Sequence, residues 1–166
     1  QALATCEAAR APILTALLAA SQDNESLRLL SLRLESDDLE VRKDAVRNLG
    51  KWNNEIALTP LVLFAKRERD AGAQTLAWRA VIDIVNRPDK VVDYYQPVSA
   101  IQQAVWHASR REEKLAALYA LSHYHPKSWE VEWLLTKIET ELPEMAADAQ
   151  SVKASLVPPF SGLLGR

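Results

Sequence analysis

The stretch DDLEVRKDAVRNLGKWNNEIALTPL, residues 37–61, decides how this chain is read. Asp37 stands three residues before Glu40, the spacing of a capping box, in which a polar side chain and a first-turn carboxylate satisfy each other's free backbone N–H groups. A helix is therefore expected to begin near residue 38. Val41, Ala45, Leu49 and Trp52 then recur at steps of four, four and three, one apolar stripe on a 3.6-residue period. Gly50, Asn53 and Asn54 supply the stop, and Pro60, which lacks an N–H, fits the first turn of a second helix. Leu58, Leu61, Val62 and Ala65 face inward on that helix before KRERD closes it at 66–70. The stretch reads as two short antiparallel helices.

Later stretches repeat its register. In DAGAQTLAWRAVIDIV, from Asp70, the residues matching Ala45, Leu49 and Trp52 are Ala77, Val81 and Ile84, an offset of 32. In SRREEKLAALYALSHYHP, from Ser109, they are Ala117, Leu121 and Tyr124, an offset of 72, and Ser109 with Glu112 restates the capping box. Between them a longer second helix is expected from about Val91 through an interruption at Pro97 to His107. Before residue 37, APILTALLAA and NESLRLLSLRLES make one more pair, with Asn24 as cap and Pro12 in a first turn. After residue 126 come SWEVEWLLTKIETEL and a short helix from Pro143 to about Ala154. The expected fold is all-α, a solenoid of about four antiparallel hairpins of about 36 residues, none able to bury its apolar face alone. It spans 1–155, with 156–166 as a tail or linker containing VPPFSGLLGR.

Composition fits one such domain. The chain has 166 residues, 48% hydrophobic and 25% charged, with four glycines and eight prolines, a mixture that folds and favours helix. Twenty Lys and Arg stand against 22 Asp and Glu, so the overall field does not draw in a phosphate backbone. A single cysteine, Cys6, excludes an internal disulfide and a thiolate-built zinc site. No apolar run approaches the ~18–20 residues of a membrane helix, so no membrane insertion is expected. ALA at 2–4 has the small-x-small form of a signal-peptidase site without the charged and apolar regions that precede one; the compartment stays open, with the cytoplasm favoured over export.

The run Asp38, Val41, Arg42, Ala45, Leu49, Gly50, then Ala57, Leu58, Pro60, Leu61, resembles the HEAT repeat, in particular the short bacterial HEAT-like units also seen in phycobilin lyase subunits. That resemblance implies a right-handed α-solenoid with an aspartate–arginine ladder between units, here Asp38 and Arg42. The next unit keeps Asp70 but has Gln74 in place of the arginine, and the third has Arg110 and Lys114. The resemblance covers 37–142. Some HEAT-like bacterial proteins are DNA glycosylases that hold the duplex on a basic face with tryptophans and an aspartate. Five tryptophans and the cluster Lys66, Arg67 and Arg69 are what this sequence offers to that alternative. A scaffold fold does not fix an activity, because function sits in sites grafted onto it.

Motifs for chemistry are sparse. Glycines at 50, 72, 162 and 165 assemble neither a P-loop nor a dinucleotide turn, no G-x-S-x-G elbow occurs, and Cys6 has no partner base in sequence. His123 and His125, with His107, form the one candidate zinc set, without H-E-x-x-H spacing; a helix-end histidine also answers the terminal carbonyls. No cofactor is called for. Glu130, Glu132, Glu139 and Glu141 break any phosphate-tracking stripe, and a cationic helix end accounts for Lys66 and Arg67. One feature stands above this background. The core stripe of the last long helix is Val131, Leu134, Leu135, Ile138 and Leu142, and Trp129 and Trp133 lie four apart on a neighbouring face. They are either packed beneath the helix from Pro143 or an anchor pair for a partner. The expected function is a non-catalytic protein-binding or scaffolding module, with Trp129 and Trp133, then Tyr94 and Tyr95, contacting a protein or peptide. The alternatives are an enzyme acting on DNA and a regulatory terminal domain of a larger enzyme.

Overall fold

The computed structural model describes residues 13, 15–18, 20–21, 23–52, 55–87, 95–123 and 129–156. After helical residues at 15–18 and 20–21 come α1 (Asn24–Arg33), α2 (Leu39–Leu49), α3 (Leu58–Arg67), α4 (Ala71–Val85), α5 (Tyr95–His107), α6 (Arg111–Ala120), α7 (Trp129–Glu141) and α8 (Ala146–Leu156). The described residues form no β-strand, and none of their helices is long and apolar enough to cross a membrane.

Aspartates start three of these helices, two of them one position away from the expected cap. Asp23, not Asn24, caps α1 by accepting from the Ser26 N–H at 2.7 Å, and Asp38, not Asp37, caps α2 by accepting from Glu40 N–H at 2.8 Å. Asp37 instead offers its carbonyl to the Arg42 guanidinium. Asp70 caps α4 through the Ala73 N–H at 2.8 Å. The second capping box, Ser109 with Glu112, does not form. Arg110 is the N-cap residue of α6 without a side-chain bond, and the Ser109 hydroxyl is bonded to the Gln74 side chain on α4. Pro97 is the third described residue of α5, and the expected start near Val91 lies outside the described residues.

Connection length decides which helices pair. Residues 68–70 join α3 to α4, 108–110 join α5 to α6, and a short 3-10 turn at Pro143–Met145 leads from α7 to α8; each of these pairs packs closely. The connection at 50–57 is longer, and α2 and α3 are not among the closely packed pairs. The close pairs are thus one helix out of step with the hairpin read from residues 37–61, because a three-residue connection forces the chain back alongside itself whereas an eight-residue one does not. Helices two apart also pack: α2 on α4, α4 on α6 and α6 on α8 make one row, and α3 on α5 and α5 on α7 make a second.

The repeated stripe lies between these rows. Ala45, Ala77 and Ala117 are fully buried, as are Leu49, Val81 and Leu121; Tyr124, the second counterpart of Trp52, lies outside the described residues. Ala149 on α8, 32 residues past Ala117, is buried like the others. Trp52, Trp78 and Phe64 are the largest buried side chains. At the junction of α2 and α4 a Cβ added to Gly50 would stand 3.0 Å from the Ala80 Cβ, which cannot swing away because it is carried directly by the backbone. Arg87, just past α4, donates to the Trp52 carbonyl at 2.7 Å and the Gly50 carbonyl at 2.8 Å, so its fork satisfies acceptors left free where α2 ends.

Charged contacts reach across the packed helices, two of them between helices two apart in the chain. Arg42 donates through Nε to Glu68 at 2.8 Å, Arg79 through Nε to the buried Glu113 at 3.0 Å, and Arg111 through Nη2 to Asp148 at 2.8 Å. The ladder that the resemblance implied between Asp38 and Arg42 is replaced by these pairs, since Asp38 is committed to its own helix cap. Burial raises the Glu68 pKa, but the Arg42 hydrogen bond, the Asp70 and Arg69 N–H groups and the guanidinium charge outweigh it and hold the carboxyl below its ordinary value.

Two outcomes are expected. Ala45→Phe or Ala117→Phe overpacks a closed contact and costs about 1–3 kcal/mol in urea denaturation; unchanged stability in both would refute the shared register. Because folding depresses the Glu68 pKa, its stabilisation is complete above the unfolded value near 4.5 and fades as pH falls through the folded value. Glu68→Gln is therefore less stable than the parent at pH 7, and the gap narrows below about pH 4.5. A gap independent of pH between 7 and 3 would remove Glu68 as an acid-sensitive link.

Candidate functional site

The apolar stripe of α7 turns four residues inward: Val131, Leu134, Leu135 and Ile138 are all fully buried. Trp129 and Trp133 point the other way because one-turn spacing from 129 keeps both indoles on the side opposite that stripe. Trp129 is 69% exposed and Trp133 49%. The helix after Pro143 does not hide them. α8 packs on α7, with Met145 in the turn before it and Ala149 and Val152 on it all buried, and leaves the indole side open.

Lys137, one turn beyond Trp133, places its ammonium 5.0 Å from the Trp133 ring centroid and 5.6 Å from that of Trp106 on α5. A cation over two ring faces is attracted by both quadrupoles, so this side chain ties α7 to α5 across their outer surface. Its charge is also met by Glu141, 3.9 Å away.

Two grooves flank α5. One, of about 190 Å³ between α5 and α7, is lined by Val98, Ser99, Gln102, Trp129, Glu130 and Trp133. The other, of about 320 Å³ between α3 and α5, has Leu58, Val62 and Leu63 on one wall and Gln96, Ser99 and Gln103 on the other. Ser99 lines both, so they are neighbours on one face made by α3, α5 and α7. Leu63 stands out on it, 59% exposed, and Lys66 closes one end by donating to Gln103 at 2.8 Å. The face is therefore apolar and aromatic in patches, with uncharged amides and a hydroxyl between them.

Other sequence candidates do not converge there. Tyr94 lies outside the described residues; Tyr95 is the first residue of α5, and its side chain lies outside them too. The basic cluster splits: Lys66 turns to Gln103, Arg67 pairs with Glu35, and Arg69 is exposed in the turn before α4. His107 ends α5, where burial, then the charges of Lys66 and Lys114, hold its imidazole pKa below the ordinary value. Cys6 and His125, with the His123 side chain, lie outside the described residues, among which no group of three His, Cys, Asp or Glu side chains is placed to hold a metal ion.

No family model, curated protein or solved structure matches this chain. What the face can do is read from its side chains. Flat aromatic surfaces and open aliphatic side chains offer apolar contact there, and amides between them can both donate and accept hydrogen bonds. Sequence reasoning missed Trp106, the cation shared by two indoles, and the polar face of α5. Its signal was present: Gln96, Ser99, Gln103 and Trp106 follow at steps of three, four and three, out of phase with the buried Val98, Ile101 and Val105.

Trp129→Ala is expected to change unfolding free energy by less than about 0.5 kcal/mol, as at an exposed surface position, whereas Trp78→Ala, emptying a core site, costs about 3–5 kcal/mol. Urea denaturation of the two variants checks the contrast, and equal losses would place Trp129 in the core.

Proposed function

We propose that this chain is a non-catalytic protein-binding or scaffolding module, a right-handed α-solenoid of HEAT-like hairpins that offers the face of α3, α5 and α7 to a protein or peptide. Two rows of helices, each packing on the helix two places along, support the repeat reading. The observation that carries the function is the exposure of Trp129 and Trp133 beside a groove. Leaving two indoles in water forgoes a large hydrophobic gain, and tryptophan is enriched where partners bind most strongly. Binding works by shape: α5 supplies hydrogen-bonding side chains, α7 the aromatic anchors and α3 an aliphatic wall. The duplex-binding alternative has less support, because Lys66 turns away to Gln103, Arg67 and Arg69 line a pocket that also holds Glu35, Asp37 and Glu68, and α7 carries four carboxylates against one lysine.

Selection of a random peptide library on the intact chain tests the reading. Enriched peptides are expected to lose at least tenfold in affinity to Trp129→Ala or Trp133→Ala, with melting temperature unchanged in Trp129→Ala. Enriched peptides indifferent to both substitutions, or no enrichment at all, would refute the assignment of this face.

A further inference from the structure

Lys66 is the one formal charge lining the groove between α3 and α5, and it stands at the end toward which both helices run. Its ammonium donates to the Gln103 side-chain oxygen, a neutral acceptor that takes up one of its three donors and brings no opposite charge. No carboxylate among the described residues pairs with it. The acids of the neighbouring turn are already held: Glu68 by Arg42, Glu35 by Arg67 and Asp70 by the cap of α4. One turn past Gln103 stands His107, where burial and then the charges of Lys66 and of Lys114 on α6 depress the imidazole pKa, and no carboxylate among the described residues offsets those charges. The C-termini of α3 and α5 contribute roughly −0.5 elementary charge each, but α4 and α6 begin after three-residue connections at the same end and return as much. The local field is therefore positive. With its oxygen turned to Lys66, the Gln103 amide also keeps an NH2 group that bonds to nothing among the described residues.

Resting on the docking face proposed above, we propose that the groove between α3 and α5 takes a segment of a partner protein in which an aliphatic side chain lies against Leu58, Val62 and Leu63 and a neighbouring glutamate or aspartate sets its carboxylate on Lys66 and the Gln103 NH2 group. The aliphatic wall and the ammonium are less than a helical turn apart between Leu63 and Lys66, so adjacent residues of the segment reach both. Charge complementarity chooses the occupant. A basic segment would bring its cation against Lys66 with no acid lining the groove to receive it, whereas a carboxylate gains a charge-assisted hydrogen bond from a side chain that lines the groove itself.

The probes are three fluorescein-labelled nine-residue peptides with blocked termini. They share two leucines in a serine and glycine background and differ in the two residues that follow, which are glutamate, glutamine or lysine. Each is titrated against the intact chain by fluorescence anisotropy at low salt. The glutamate peptide is expected to bind saturably and about threefold more tightly than the glutamine peptide, the scale of a solvent-exposed ion pair, with the lysine peptide weakest. Lys66→Met removes the preference for glutamate over glutamine without weakening the glutamine peptide, a pattern that loss of structure does not produce. Leu63→Ser weakens both of these peptides alike, and added salt narrows the preference. Far-ultraviolet circular dichroism of each variant confirms the fold. Equal binding of the glutamate and glutamine peptides, no saturable binding, or a preference for glutamate that survives Lys66→Met would overturn the proposal. So would displacement of the glutamate peptide by an equal concentration of single-stranded oligonucleotide, which gives Lys66 to a phosphate backbone. Self-association lost on Leu63→Ser would give the groove to a second copy, and tighter binding of every peptide on Phe160→Ala would give it to the chain's own tail; either result overturns it too. Library peptides that need Trp129 and Trp133 but are indifferent to Lys66→Met would overturn this inference alone and leave the docking face standing.

Discussion

Everything in this structure depends on contact between helices two places apart in the chain. A short amphipathic helix cannot bury its apolar face alone, so helices further along the chain must cover it. Here α4 lies between α2 and α6, and α5 between α3 and α7. Close approach requires small side chains, and Gly50 against Ala80 shows the limit, since one added methyl group would already press on a neighbour that cannot retreat. The Arg87 fork on the Gly50 and Trp52 carbonyls then fixes the end of α2 against α4 at the same place, using hydrogen bonds rather than apolar area.

The same geometry makes the candidate site. Stacking along the row buries one side of α7 and leaves the opposite side facing solvent, so the side chains there are free of packing duty. Trp129 and Trp133 occupy that side in a helix whose inward stripe is already complete without them. The face is then defined by what three successive helices of one row present: an aliphatic wall on α3, amides and a hydroxyl on α5, and indoles on α7. No single helix contains it.

Much of this was legible from residue pattern. Alanines 45, 77 and 117 appear in the sequence at matching points of three apolar stripes, and all three are fully buried. Trp129 and Trp133 could be separated from the core because they fall off the stripe of Val131, Leu134, Leu135 and Ile138. Less visible were choices between neighbours of equal chemistry. Asp37 and Asp38 can both cap, and backbone geometry selects the second; Ser109 can cap α6, but a glutamine from another helix reaches it first. The pairing of α2 with α3 also escaped, because connection length matters more than sequence adjacency and the wide connection after α2 looks in sequence like an ordinary hairpin turn; α4 and α5 do pack together as the pattern has it. The cation shared by Trp106 and Trp133 depends on a contact between residues 31 places apart, and only the fold brings Lys137 over a ring on α5.

That shared cation makes the outer surface a strain gauge. Lys137 sits between a ring on its own helix and a ring on the next, at 5.0 and 5.6 Å, so opening the angle between α5 and α7 weakens one attraction while leaving the other nearly intact. Such a pair resists elastic bending of the row only gently, over a range of small displacements. It also converts that bending into an optical change, because an ammonium withdrawn from Trp106 alters the field that sets the colour of indole emission.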